Sequence, residues 1–370
     1  MAFLVISVLV ATAKTWTGFL ILRFLQGFFG SPCLANGGAS MHDLFKGPTV
    51  PYSMAMWIAA AYCGSALGPL ISSHLVSGHG WRMGMWETVW MAAPTLVLVL
   101  ILPETYGPAL EVQSDKRRSI LSQQHFGPAP ARDPGKNKLR LVFGAIGDAA
   151  RKPIQIMLQD PAVHVANGYT TFVYATYYTF FDAFPQVYLF EYHFTVGGLG
   201  LAFTSIVLGC VLGGAAYCAY IKWGINEQFL REPLLSHEGC LRPALVACVL
   251  PPLGLFLFGW SARSSIHWII SLVGVTIYAA GVYIILQCLS VYLPRIYPRY
   301  AASLFAANDL CRSCTAAALI HAGVPLYGRL GVSRGISVLG SISVLGIPGK
   351  WFIYWKGPVL RAKSRFVAEP

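Results

Sequence analysis

From Ser264 to Pro294 the chain runs for 31 residues without an Asp, Glu, Lys or Arg, and Val196 to Ile221 does the same over 26. About 20 apolar residues cross a bilayer as a helix, so blocks of this length read as membrane spans and not as core strands. Composition agrees. Residues are 55% hydrophobic and 11% charged, against about 25% charged in ordinary globular domains, too few to cover a water-facing surface of this size. A soluble protein is excluded. The formal charge of +12 suggests polyanion binding at first sight, but the Lys and Arg residues sit in short breaks between apolar blocks, where membrane topology accounts for them better than nucleic acid does.

Apolar blocks set against turn-forming and charged breaks give ten segments: Met1 to Ala13, Thr17 to Met41, Pro51 to Val76, Met85 to Leu102, Ala166 to Phe190, Val196 to Ile221, Pro243 to Ala262, Ser265 to Leu293, Tyr300 to Leu326 and Gly335 to Trp355. The expected fold is all-α and polytopic. A truncated N-terminal bundle of about four spans fills 1–103 and a cytosolic central loop 104–165. A six-helix bundle fills 166–355, and a cytosolic tail 356–370. The central stretch, with Lys116-Arg117-Arg118 and Asp133-Pro134-Gly135, has the Pro, Gly and charge content of a flexible linker. Part of it, Leu141 to Leu158, suits a helix lying on the membrane surface, interrupted at Pro153. With the first residue on the cytosolic side, 19 basic residues fall inside and 5 outside, so both termini are expected in the cytosol. The first segment is shorter than a crossing, and no basic stretch precedes it as a signal peptide would require.

Enzyme and metal motifs are missing from the sequence. There is no His-Glu-x-x-His, Gly-x-Ser-x-Gly or P-loop, and the nine histidines have no ligand spacing. The nine cysteines fall almost entirely within apolar blocks, where free thiols act as small packing residues. No cofactor and no metal is expected.

Charge inside the spans is more informative, because each buried charge costs about 2.5–3.5 kcal/mol on insertion scales and needs a partner or a purpose. Arg23, Asp182, Asp309 and Arg312 stand out. Asp309 and Arg312 are three apart on one helix, which suits a structural ion pair as well as a gating role. Asp182 has no cation in its own segment and lies among Tyr177, Tyr178, Phe180, Phe181 and Phe184. That setting suits a proton- or cation-handling carboxyl group, or else a residue reaching the outer interface. Small residues four apart, at Gly64 and Gly68, Gly209 and Gly213, and Gly331 and Gly335, allow close helix approach. Pro69 adds a kink.

Three stretches then resemble a known family. Arg23-Phe-Leu-Gln26-Gly27-Phe-Phe-Gly30 is similar to the fourth-span motif of the major facilitator superfamily. Gly64-Ser-Ala-Leu-Gly68-Pro69 resembles its fifth-span antiporter motif, with Ser72-Ser73 in place of the closing glycine pair. Leu102-Pro-Glu-Thr105 resembles the close of the sixth span. More narrowly, Gly30 to Gly38, Tyr177 to Pro185 and Tyr300 to Arg312 are similar to the twelve-span fungal drug:proton antiporters. The resemblance implies two helical bundles around a cavity open alternately to either side, with proton entry driving export of a drug, polyamine or fungal metabolite. On this reading the ten segments are family spans three to twelve, and the first two are lacking. Arg23, Gln26, Asp182, Asp309 and Arg312 would couple proton movement, although Arg23 could simply bridge polar groups between packed helices. Gly64, Gly68 and Pro69 would shape the antiporter helix. Asn36, Tyr177, Tyr178, Phe181, Tyr278, Tyr283, Gln287 and Asn308 would line the cavity, though aromatic residues also favour lipid-facing belts. The implied partners are protons, a small organic solute and the lipid bilayer, with the chain a monomer in the plasma membrane. Competing readings are a non-transporting remnant or binding subunit of the family, and a nutrient-uptake permease.

Overall fold

The structure, a computed structural model, describes residues 1–103, 153–225, 237–297 and 300–362, and among them helix is the regular structure. The first bundle comprises α1 (Ala2–Thr12), α2 (Trp16–Gly30), α3 (Pro32–Leu44), α4 (Val50–His79) and α5 (Trp81–Ile101). The second comprises α6 (Pro161–Phe181), α7 (Val196–Ala202), α8 (Thr204–Tyr220), α9 (Arg242–Ala247), α10 (Leu250–Ser261), α11 (Trp268–Ile296), α12 (Ala301–Leu330) and α13 (Val332–Ala362).

Several helix starts follow from local chemistry. Thr15 caps α2 by accepting from Gly18 N, Thr195 caps α7 through Gly198 N, and Asp160 caps α6 through Ala162 N and Val163 N ahead of Pro161. Two hairpins, α4–α5 and α12–α13, turn on a single glycine each. Gly80 has φ 83° and Gly331 φ 76°, a left-handed conformation that only glycine adopts without strain.

All ten expected segments fall on helix, with shifted edges. The fifth starts at Pro161 and not Ala166, and residues 153–159 are helical as well, so the linker ends before 165; its remainder, 104–152, lies outside the described residues. The tenth continues to Ala362, past the expected start of the tail. The second divides at Ser31, which ends α2 and opens α3. Seven stretches are long and apolar enough to cross a membrane: Trp16–Leu44, Gly47–His79, Trp81–Ile101, Val196–Gly224, Gly239–Ser261, Trp268–Ile296 and Val332–Val359. Helices α6 and α12 are long but diluted by polar residues, and those residues face the molecule's centre, as described below.

The second bundle holds the core. Its α11 packs against α8 and α10, α10 against α13, and α6 against α12 and α13. Large side chains such as Phe180, Phe184, Phe258 and Tyr278 are buried there. Gly209 and Gly213 make the α8–α11 contact close: a Cβ on Gly209 would lie 2.5 Å from the Thr276 carbonyl oxygen. The first bundle instead presents apolar side chains outward. Trp16, Leu20, Phe24 and Phe28 of α2, four residues apart, form an exposed stripe suited to lipid. The bundles meet where α4 packs on α7, α8 and α11, and where α3 packs on α12.

Candidate functional site: a cavity between the bundles

Helical spacing on α4 places Trp57, Ile58, Ala61, Tyr62 and Ser65 along one face, turned toward α6, α11 and α12. From the opposite side come Thr170, Tyr174, Tyr177 and Tyr178 of α6, Leu286 and Ser290 of α11, and Asn308 and Arg312 of α12; Leu34 of α3 completes the wall. The space amounts to about 620 Å³, part of it open to solvent. It continues past Phe305 and Asp309 into an adjoining recess. Both bundles therefore contribute to one chamber.

The two polar helices explain themselves here. Asn308 Nδ2 donates to Asn167 Oδ1 at 2.9 Å and to Thr170 Oγ1 at 2.5 Å, joining α12 to α6. Arg312 pairs with Asp309 one turn back, and its guanidinium stands 4.7 Å from the Tyr174 ring centroid. Tyr174 donates to the Tyr178 hydroxyl at 3.1 Å. Tyr177 spans the divide. Its ring meets Tyr62 of α4 edge-on at 5.2 Å and stacks near-parallel with Tyr278 at 6.3 Å, and its hydroxyl lies 3.4 Å from Ser65 Oγ. Three polar atoms around this chamber are buried without a hydrogen-bond partner: Tyr62 OH, Arg312 Nε and Asn167 Nδ2. Each such orphan costs about 1–3 kcal/mol.

Side chains of α11 tie it to α4 on the Pro51 side of the chamber-lining residues. Tyr283 OH donates to the Ala55 carbonyl at 2.7 Å, and Gln287 Nε2 to the Pro51 carbonyl at 2.8 Å. Toward the other end, α4 lies against α7 so closely that a Cβ on Gly200 would meet the Leu70 backbone at 3.2 Å.

Comparison with known proteins supplies the family. The sequence profile of the Major Facilitator Superfamily matches residues 1–320. The chain is 39% identical to the MFS-type transporter pyvG of Aspergillus violaceofuscus over 371 residues, covering 99% of this chain and 67% of that protein. This chain belongs to the major facilitator superfamily. It is also 30% identical to the cycloheximide resistance protein of Candida maltosa, covering 98% of this chain and 68% of that one. Against the fluconazole resistance protein 1 of Saccharomyces cerevisiae it is 30% identical, covering 99% and 67%. Among solved structures it is similar to the human organic anion transporter MFSD10, with TM-score 0.57 and 18% identity over 95% of this chain and 75% of the other. It is also similar to the proton:xylose symporter XylE, with TM-score 0.59 and 11% identity over 95% and 77%. At these identities the structures speak for the fold alone.

Within this major facilitator, the residues singled out from sequence separate into groups. Tyr177, Tyr178, Asn308 and Arg312 line the chamber, and Asp309 lines the adjoining recess. Phe181 stands behind them, 4.5 Å from the Tyr177 ring. Tyr278 is buried in the second bundle with its hydroxyl unpartnered, beside a smaller recess of its own. Tyr283 and Gln287 hold α11 to α4 and are not chamber wall. Asn36 is exposed on α3.

Arg23 and Gln26 sit away from the chamber, in the first bundle. Arg23 Nη1 donates to Gln26 Oε1 at 3.0 Å, and Gln26 Nε2 donates to Ser7 Oγ at 2.8 Å, which ties α2 to α1. Asp182 is half-buried at the end of α6, over Gly323 of α12, and its Oδ2 has no hydrogen-bond partner. It faces α12 and not the ring cluster that surrounds it in sequence, since successive helical residues point about 100° apart. Gly64 and Gly68 have no described atom within 4 Å of an added Cβ, whereas the close approach also expected at Gly209 and Gly213 is present. Pro69 lies inside α4, which continues unbroken through it.

Sequence reasoning missed Trp57, Tyr62 and Ser65, although Ile58, Tyr62 and Ser65 follow at intervals of four and three and so share one helical face, with Trp57 and Ala61 beside them. It also passed over Tyr174, four residues before Tyr178. Lys350 was counted as a span residue but not singled out; its Nζ is fully buried and unpartnered, 5.4 Å from the Tyr169 ring centroid.

Proposed function

We propose that this major facilitator exports small organic molecules from the cell by alternating access, using the proton gradient. The chamber formed jointly by α3 and α4 of one bundle and α6, α11 and α12 of the other carries the reading, because a solute held there touches both moving bodies. The relatives bearing the names of resistance proteins and efflux pumps support the outward direction. Transport in this geometry requires the Tyr283–Ala55 and Gln287–Pro51 bonds to break as the bundles rock. The site of action is the plasma membrane, with both termini in the cytosol and the chain acting as a monomer.

Proton coupling falls to Asp182 on this reading. Its buried, unpartnered carboxylate oxygen at the α6–α12 contact can exchange a proton when that contact loosens. Asp309 is already engaged by Arg312, and Arg23 with Gln26 serves the α1–α2 contact. The test is transport of a fluorescent drug by the chain in proteoliposomes with an imposed pH gradient. Accumulation that collapses with the gradient is expected, with Asp182→Asn binding the drug but losing the dependence on pH. Gradient-independent transport would refute coupling, and no drug movement in either direction would refute export itself.

A further inference from the structure

The chamber's chemistry narrows what it can hold. Resting on the reading of the chamber as the solute site, we propose that it selects aromatic solutes bearing a hydrogen-bond acceptor, such as a carbonyl, ester or carboxylate oxygen, and discriminates against organic cations, polyamines included.

Charge is the first argument. Among the described lining residues the one carboxylate is Asp309, and Arg312 already occupies it. An incoming ammonium group would find no free counter-ion and would share the chamber with a guanidinium. Among the lining rings, Tyr174 already has Arg312 over its face.

Donors are the second. Tyr62 OH and Arg312 Nε are buried without a partner, and both residues line the chamber. Tyr62 belongs to α4 in the first bundle and Arg312 to α12 in the second. Arg carries donors and no acceptor, so what this pair lacks is an acceptor atom. A solute oxygen placed between them would take a hydrogen bond from each bundle, while Tyr177 and Trp57 pack on its ring. The same oxygen would thus both pin the solute and report its presence to the two halves. Two acceptors beside the chamber, Asn167 Oδ1 and Thr170 Oγ1, already receive Asn308 Nδ2.

The experiment is equilibrium binding to the full chain in lipid nanodiscs, with partition into empty nanodiscs subtracted. Three probes of matched ring size are used: 2-acetylnaphthalene, naphthalene and 2-naphthylmethylamine. The ketone should bind about tenfold more tightly than naphthalene, the gain of a well-placed hydrogen bond, and the amine no better than naphthalene. Tyr62→Phe, which removes only the hydroxyl, and Arg312→Lys, which keeps the charge but not Nε, should each erase most of the ketone's advantage over naphthalene measured in the same variant. Equal binding of ketone and naphthalene, or an unchanged ketone affinity in Tyr62→Phe, overturns acceptor selection while leaving the chamber as a solute site. Preferential binding of the amine overturns it too. If none of the three binds, the chamber reading falls and this inference falls with it.

Discussion

Lys350 is the most costly side chain in the described structure on physical grounds. Its ammonium is fully buried, has no hydrogen-bond partner, and has only the Tyr169 ring 5.4 Å away to offset its lost hydration. Replacing it with an apolar chain of similar length removes that cost without opening a cavity. Lys350→Met should therefore raise the stability of the detergent-solubilised protein by about 1 kcal/mol or more, read as a higher midpoint of thermal unfolding. A lower midpoint would mean that the ammonium contributes net stability where it sits. Local pattern does not flag this residue, because a Lys six residues before Lys356 near the end of the last segment reads as an ordinary snorkelling side chain. Arg312 was legible for the opposite reason: its partner lies one turn away on the same helix, where spacing alone can pair them.

At the scale of helices, two glycine pairs with the same spacing have opposite surroundings. On α8, Gly209 and Gly213 face the α11 backbone, and an added Cβ would come within 2.5 and 2.9 Å of its carbonyl oxygens. On α4, Gly64 and Gly68 meet no described atom within 4 Å. Gly209→Val should thus push α8 from α11 and cost about 1–3 kcal/mol, seen as a fall in thermal midpoint. Gly68→Leu should leave that midpoint within error. The reverse order would show that α4, and not α8, carries the tight packing. Spacing reveals that a glycine pair could face a neighbour, but not which helix will arrive there. The Asp160-Pro161 start of α6 shows a similar limit. A cap followed by a first-turn Pro is a helix signal, yet within a polar stretch it reads as linker until the second acceptor, Asp160 Oδ2, is seen to receive the Tyr297 hydroxyl at 2.7 Å.

For the molecule as a whole, span-length apolar blocks made the all-helical membrane fold readable, and the motif residues made the family readable. The chamber was readable only in part, since Tyr62 and Arg312 line it from different bundles, 250 positions apart in the chain, and no local pattern encodes that convergence. The proposed orientation, which puts 19 basic residues on the cytosolic side and 5 outside, predicts that tags fused at Met1 and at Pro370 both escape labelling by an impermeant reagent on intact cells. Labelling of either would reverse the assignment. The turns at Gly80 and Gly331 bear on how such a body can move. Each joins two long rods through one residue, and each stands between the last two helices of its bundle. A joint of one residue limits how far either rod can slide along its neighbour, so the freedom left at each turn is a change of angle. The two halves thus carry matching elbows, one between α4 and α5 and one between α12 and α13.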